Sequence, residues 1–226
     1  MAGIVGYVSR FGMTIQAVIP LFPQFTALDG IGPYEVLQRV PEIDVTFIGH
    51  ARGEVRSDNG FLGITRDATF EEFPTPDLII FPGGVGTRPL IGDERVLEWV
   101  RSAHRTTRFT TSVCTGSLVL GAAGLLDGLT ATTHWSVYEE LAKTGATPVA
   151  ERVVEHLDKR IITAAGVSSG IDMALRLLEI LFDRTAAEAS QLMIEYDPQP
   201  PFDAGAVGKV GDGVMARVIE YAGARK

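Results

Sequence analysis

The chain has 226 residues, 46% of them hydrophobic and 21% charged, with 20 basic against 28 acidic side chains and a net charge of −8. This composition excludes a disordered or fibrous polymer and suits a domain that buries a substantial core. The acidic balance gives no general attraction for a phosphate backbone, so nucleic acid is not an expected partner. The single cysteine, Cys114, excludes an intrachain disulfide and any multi-thiolate metal site, and no metal is expected.

Residues 1–13 read as a leader. They carry Gly3, Gly6 and Gly12 with Arg10 as the one charge, and lack the basic start and long apolar stretch of a signal peptide. No run of 18 apolar residues occurs, so no membrane partner is expected and the cytoplasm is the expected location. A core domain is expected over 14–205, with a tail helix in 206–226, the whole forming one domain.

Thr14 to Leu21 is β-branched and apolar and predicts a first strand. A helix is expected from Pro33, with the proline in its first turn. Val45 to Ile48 predicts a strand, Gly60 to Thr65 a strand or hairpin, and Asp77 to Phe81 a buried strand stopped by Pro82-Gly83-Gly84. Asp93 can cap a helix carrying Val96, Leu97, Trp99 and Val100. Phe109 to Val113 predicts a strand that runs into a helix over Thr115 to Ala123. A short strand at Thr130 to Thr132 and a helix ending at Lys143 before Gly145 follow. Glu151 to His156 and Arg160 to Ala164 read as a hairpin around Leu157-Asp158-Lys159. Helices are expected over Ile171 to Phe182, from a capping box at Thr185 and Glu188, and over Val214 to Ala222. This alternation predicts an α/β fold, a doubly wound, mostly parallel sheet with helices on both faces and a small hairpin. In such folds ligands bind beyond the carboxyl ends of the strands.

Chemistry-bearing residues sit at those ends. Cys114 lies between a strand and a helix, a layout resembling a nucleophile elbow, where the helix start favours a thiolate. The alternative is a buried structural cysteine. Gly83 and Gly84 can turn N–H groups toward a ligand or an anion, or form a plain turn. Asp29, after the first strand, is either a helix cap or a carboxyl aimed at the thiol for proton transfer. His134, beside Trp135, is the best-placed histidine for a Cys–His pair, and otherwise a hydrogen-bonded structural residue. Thr115 can bond substrate or carboxylate, or cap its helix. No phosphate loop is present, Gly83-Gly84-Val85-Gly86 is too short for a dinucleotide fingerprint, and no cofactor is expected.

The segment Cys114-Thr-Gly-Ser-Leu-Val-Leu-Gly-Ala-Ala-Gly-Leu-Leu126, followed by Ala131-Thr-Thr-His-Trp135, strongly resembles the bacterial isocyanide hydratases. Leu28-Asp29 with Gly32-Pro-Tyr-Glu-Val36, Pro82-Gly83-Gly84, Gly170-Ile171-Asp172, and Glu195-Tyr196 with Pro200-Pro201-Phe202 extend the likeness from about Thr14 to Gly205. Ala165-Gly166-Val167-Ser168-Ser169 is a looser match. These enzymes belong to the class I glutamine amidotransferase-like superfamily, beside the PfpI-type proteases. The resemblance implies a flavodoxin-like homodimer that hydrates isocyanides to N-substituted formamides without cofactor or metal. It implies Cys114 as nucleophile, Asp29 as acid/base and Thr115 in support. Gly83, Gly84, His134 and Val167 complete the expected substrate- and oxyanion-binding set.

Two competing readings stay open, a cysteine-based stress-response protein (redox sensor or deglycase-like) and a PfpI-type protease. The protease reading expects His directly after the cysteine, where Thr115 stands. A fused DNA-binding module is not expected, because the tail offers only Lys209, Arg217, Arg225 and Lys226 as basic residues.

Overall fold

The computed structural model describes residues 14–224. The predicted leader, 1–13, lies outside the described residues. In chain order the strands are β1 (Ile15–Pro20), β2 (Ile43–Gly49), β3 (Gly53–Arg56), β4 (Gly63–Arg66), β5 (Ala68–Thr69), β6 (Leu78–Phe81), β7 (Phe109–Val113), β8 (Thr130–Ala131), β9 (Thr147–Pro148), β10 (Val153–His156) and β11 (Ile161–Ala164). The α-helices are α1 (Ala27–Leu37), α2 (Thr87–Leu90), α3 (Glu94–His104), α4 (Gly116–Ala122), α5 (Tyr138–Ala142), α6 (Ser169–Leu181), α7 (Arg184–Met193) and α8 (Asp212–Ala224).

Seven strands form the main sheet in the order β10-β11-β7-β6-β1-β2-β5. All pairs are parallel except β10 with β11, the predicted hairpin. Every side chain of β6, Leu78–Phe81, is buried, as a central strand covered on both faces requires. Helices α1, α6 and α7 pack on one another, while α2, α3 and α5 pack on α4. The sheet is thus sandwiched between two helical layers, and its central order is the flavodoxin-like one. The order reverses between β1 and β6, so the crevice beyond their carboxyl ends is the switch point where such folds bind ligands.

Strand β7 is polar for a central strand. Thr110, Thr111 and Ser112 are fully buried. Thr111 Oγ1 donates to the Ile79 carbonyl at 3.0 Å, and Thr110 Oγ1 lies 2.9 Å from His104 Nδ1, which satisfies both hydroxyls.

Some expected boundaries are corrected. Helix α1 begins at Ala27, six residues before Pro33, so the proline sits inside the helix and Asp29 in its first turn. The missing Pro33 N–H forgoes one backbone bond, while Gly32 and Gly170 let α1 and α6 approach closely. A Cβ on Gly32 would lie 3.0 Å from Ile171 Cγ1. Helix α7 is capped by Asp183, whose carboxylate accepts from Ala186 N at 2.8 Å, and not by Thr185, which lies inside the first turn. Residues 60–65 supply only the second strand of the antiparallel pair β3–β4. Asp93 caps α3 as expected, accepting from Arg95 N and Val96 N.

By its contacts the chain divides into two compact units, Met1–Ile194 and Glu195–Lys226. The described part of the second holds a 3-10 turn at Val207–Lys209 and α8, where the Arg217 guanidinium sits 5.7 Å from the centre of the Tyr221 ring. Among the described residues no helix is long and apolar enough to cross a membrane, and no group of three or more His, Cys, Asp or Glu could hold a metal.

Candidate active site

Three strand ends converge at the switch point. Strand β1 leads to Asp29, β6 to Gly83 and Gly84, and β7 to Cys114. Cys114 adopts a left-handed backbone, φ +58°, which costs a residue with a Cβ roughly 1–2 kcal/mol. Its surroundings fix that conformation. The Cys114 N–H is shared between the carbonyls of Ala164 and Ala165, at 3.0 and 2.9 Å. Its carbonyl accepts from the hydroxyls of Ser117 at 3.1 Å and Thr133 at 3.0 Å. Glycine at 116 brings the start of α4 onto the end of β6, since a Cβ there would lie 2.2 Å from the Phe81 carbonyl oxygen.

The side chain of Asp29 is fully buried and does not cap its own helix. Oδ2 accepts from the Gly83 N–H at 2.9 Å, while Oδ1 is buried and accepts no hydrogen bond. The Cys114 thiol faces the same carboxyl. Gly83 is the hinge of this contact. A Cβ on it would lie 2.5 Å from Thr115 N and 2.8 Å from both Asp29 Oδ2 and Cys114 Cβ.

Burial dominates both ionisations. It lifts the Asp29 carboxyl from its ordinary 3.8 to about 7, against the Gly83 N–H and the thiol, which pull it down, and with a smaller push from Asp58. Burial, then the Asp29 charge, pushes the Cys114 thiol well above its ordinary range, outweighing the pull of the Thr115 N–H and hydroxyl. The expectation of a thiol lowered by the helix start is therefore corrected. Desolvation outweighs the helix terminus, and the pair holds a proton between carboxyl and sulfur at neutral pH.

Thr115 is buried, and its hydroxyl serves the glycine turn as well as the sulfur. Oγ1 accepts from Gly84 N at 2.9 Å and lies 3.0 Å from the Gly84 carbonyl, 3.2 Å from Thr87 Oγ1 and within reach of the Cys114 sulfur. His134 is half-buried. Its Nδ1 lies 2.7 Å from Ser136 Oγ, its ring covers Gly166, and burial and Arg88 push its pKa down. Among the described residues no histidine hydrogen-bonds Cys114 or Asp29. Val167 is half-buried in the turn after β11, two residues beyond Ala165, the acceptor of the Cys114 N–H.

Sequence reasoning missed Thr87, Arg88 and Thr133. Thr87 had a local signal, a hydroxyl three residues after Gly84 that can bond back to its carbonyl. Thr133 had none, because its partner lies 19 residues earlier. A separate open cavity of about 410 Å³ lies near the amino ends of β7 and β11, lined by His104, Leu125, Asp127, Lys159 and Arg160 among others.

Residues 15–180 match the model of the DJ-1/PfpI family. The chain is 46% identical over 193 residues to an isonitrile hydratase of Pseudomonas putida, covering 85% of this chain and 83% of that protein. It superposes on the crystal structure of a THiJ/PfpI family protein from Pseudomonas syringae with a TM-score of 0.87 at 35% identity, covering 100% of this chain and 93% of that one. Similarity to the HTH-type transcriptional regulator GbdR of Pseudomonas aeruginosa, 30% identity over 136 residues, covers 60% of this chain but only 37% of the regulator. A match over this span, on a sheet whose switch point carries the cysteine, means that the chain belongs to the DJ-1/PfpI family.

Proposed function

We propose that this protein adds water to isocyanides to give N-substituted formamides, with Cys114 as nucleophile and Asp29 as acid/base. The observation that carries the reading is a buried thiol facing a carboxyl that still holds a proton near neutral pH, with no histidine base bonded to either. The terminal isocyanide carbon must gain both a nucleophile and a proton, and this pair supplies both from one side. Likeness to the isonitrile hydratase over most of both chains supports the same substrate class.

In the reactive form the shared proton sits on Asp29 and the sulfur is a thiolate. The thiolate attacks the terminal carbon while Asp29 delivers its proton to that carbon. An S–C and a C–H bond form, giving the thioimidate Cys114–S–CH=N–R and an ionised Asp29. Water then gives a proton to Asp29 and hydroxide to the same carbon. The hydroxyl proton of this adduct passes to nitrogen, the C=O bond forms and the thiolate leaves. The product is R–NH–CHO, one water is consumed, and the pair regains its proton.

The Gly83 N–H steadies the carboxylate form between steps, as preorganised donors do. Val167 and His134 belong to the proposed substrate surround, and Gly84 holds the turn that carries Gly83. No cofactor enters this scheme. A homodimer in the cytoplasm belongs to the same proposal, and sedimentation at twice the 24.3 kDa chain mass is the reading that tests the dimer. A peptidase reading lacks its imidazole base at the sulfur.

The test is incubation with a simple alkyl or aryl isocyanide, following formamide release. The native chain is expected to turn over, Cys114→Ala to fall to the uncatalysed rate, and Asp29→Asn to bind without turnover. Absence of formamide with the native chain, or a rate in Cys114→Ala near the native one, would overturn the proposal.

A further inference from the structure

Four polar groups around the glycine turn compete for two hydroxyl protons. Thr87 is fully buried, and its Oγ1 lies 2.8 Å from the Gly84 carbonyl. The Thr115 hydroxyl lies 3.0 Å from that carbonyl and 3.2 Å from Thr87 Oγ1. The bond from Gly84 N to Thr115 Oγ1 at 2.9 Å fills a lone pair and uses no hydroxyl proton. Gly84 O also accepts from the Thr87 backbone N–H at 3.2 Å. A carbonyl oxygen has two lone pairs, so the N–H and O–H of Thr87 together fill it. Arg88 occupies a lone pair of the Thr87 hydroxyl. Its Nη1 donates to Thr87 Oγ1 at 3.3 Å and lies 3.5 Å from the Gly84 carbonyl, and of the two acceptors the Thr87 hydroxyl proton can reach, Gly84 O at 2.8 Å is nearer than Thr115 Oγ1 at 3.2 Å.

We infer that Thr87 is a positioning residue: its hydroxyl occupies the Gly84 carbonyl and thereby turns the single O–H of Thr115 onto the Cys114 sulfur. The inference rests on the proposed role of Cys114 as nucleophile. The Thr115 proton then supports the sulfur whenever it is anionic, during attack and again as the leaving group of the adduct. Without the Thr87 hydroxyl, the Gly84 carbonyl would capture the Thr115 proton and the thiolate would lose that donor. The relay runs from Arg88 through Thr87 and Gly84 to Thr115, and only its last member touches the reacting atom.

The experiment is alkylation of Cys114 by iodoacetamide at a fixed pH below the thiol's pKa, where rate follows thiolate fraction. Thr87→Val keeps the shape and removes the hydroxyl. It is expected to slow alkylation about ten- to hundredfold, the range set by one hydrogen bond to a charged group. Formamide kcat should fall with little change in KM, and Thr87→Ser should restore both. In a Thr115→Val background, Thr87→Val should change alkylation no further, since the proton it directs is gone. Arg88→Met, at a partly exposed position, is expected to give a smaller fall that also vanishes in that background. It keeps the idea testable if Thr87→Val fails to fold.

An equal loss on removing Thr87 with or without the Thr115 hydroxyl, or no rescue by serine, would overturn the inference. Alkylation does not depend on isocyanide turnover. Failure of the hydratase reading alone would leave these rates as expected, with no formamide formed.

Discussion

At Asp29, burial and reactivity pull in opposite directions. A carboxyl that is fully buried, with only the Gly83 N–H and the Cys114 thiol to offset its lost hydration and Oδ1 left unbonded, is poorly stabilised as an anion, and its pKa climbs from 3.8 to about 7. Between those values the folded chain keeps a proton that the unfolded chain has released. Stability is then lost as pH rises from about 4 to about 7, and it levels off above. The full penalty is about 4 kcal/mol. Asp29→Asn removes the titration, so urea unfolding should show the variant and the native chain alike near pH 4. By pH 8 the variant should be more stable, by up to about 4 kcal/mol. Equal pH slopes for the two proteins would show that the carboxyl is not desolvated as described. The same titration has a kinetic face. The one-proton form of the pair accumulates as pH rises through about 7, so kcat/KM should climb across that range and then flatten.

At the scale of elements, the site depends on how three strand-to-helix turns fit together. The turn after β6 admits no side chain at 83, because backbone nitrogen of Thr115 and the side chains of Asp29 and Cys114 surround it. Gly83→Ala should therefore destabilise the fold by about 1–3 kcal/mol, as overpacking does. By separating thiol from carboxyl it should also lower turnover at least about tenfold. Gly205→Ala, where a Cβ would meet nothing within 4 Å, is the matching control. Thermal melts and turnover of the two variants side by side decide it, and native turnover in the Gly83→Ala variant would refute the packing account.

The turn after β6 was legible because Pro82, Gly83 and Gly84 interrupt an apolar run, which is how Asp77 to Phe81 announced its end. The start of α1 was not. Gly30, Gly32 and Pro33 read as a loop by propensity, and only close packing of α1 on α6 makes that stretch helical. Nor could spacing reveal that Thr115 Oγ1 accepts from the N–H of Gly84, 31 residues earlier, since a hydroxyl–backbone bond imposes no pattern on the chain between. The same holds for the thiol. The sequence shows the helix start behind Cys114, but not the desolvation that outweighs it.

At the scale of the whole molecule, the core and the reactive pair fall within one unit. The buried apolar cluster runs from Ile15 to Ala187, with Ile194 packed at its margin, and the family match spans 15–180. Glu195–Lys226 is a separate unit of 32 residues, below the roughly 40 at which chains without disulfide, metal or partner sustain their own fold. Its helix α8 lines up Val214, Val218 and Tyr221 along one face, an amphipathic pattern too short to be stable alone in water. A chain ending at Ile194 should therefore still unfold in one cooperative transition, with Tm within about 4 °C of the full chain, the shift expected for a change of about 1 kcal/mol at this size. The peptide 195–226 made separately should show little helix by circular dichroism. If α8 takes part in the proposed homodimer, the shortened chain should sediment as a monomer while keeping that Tm. A broad or much lower transition would place part of the stabilising core in the second unit, contrary to the contacts that hold the sheet together.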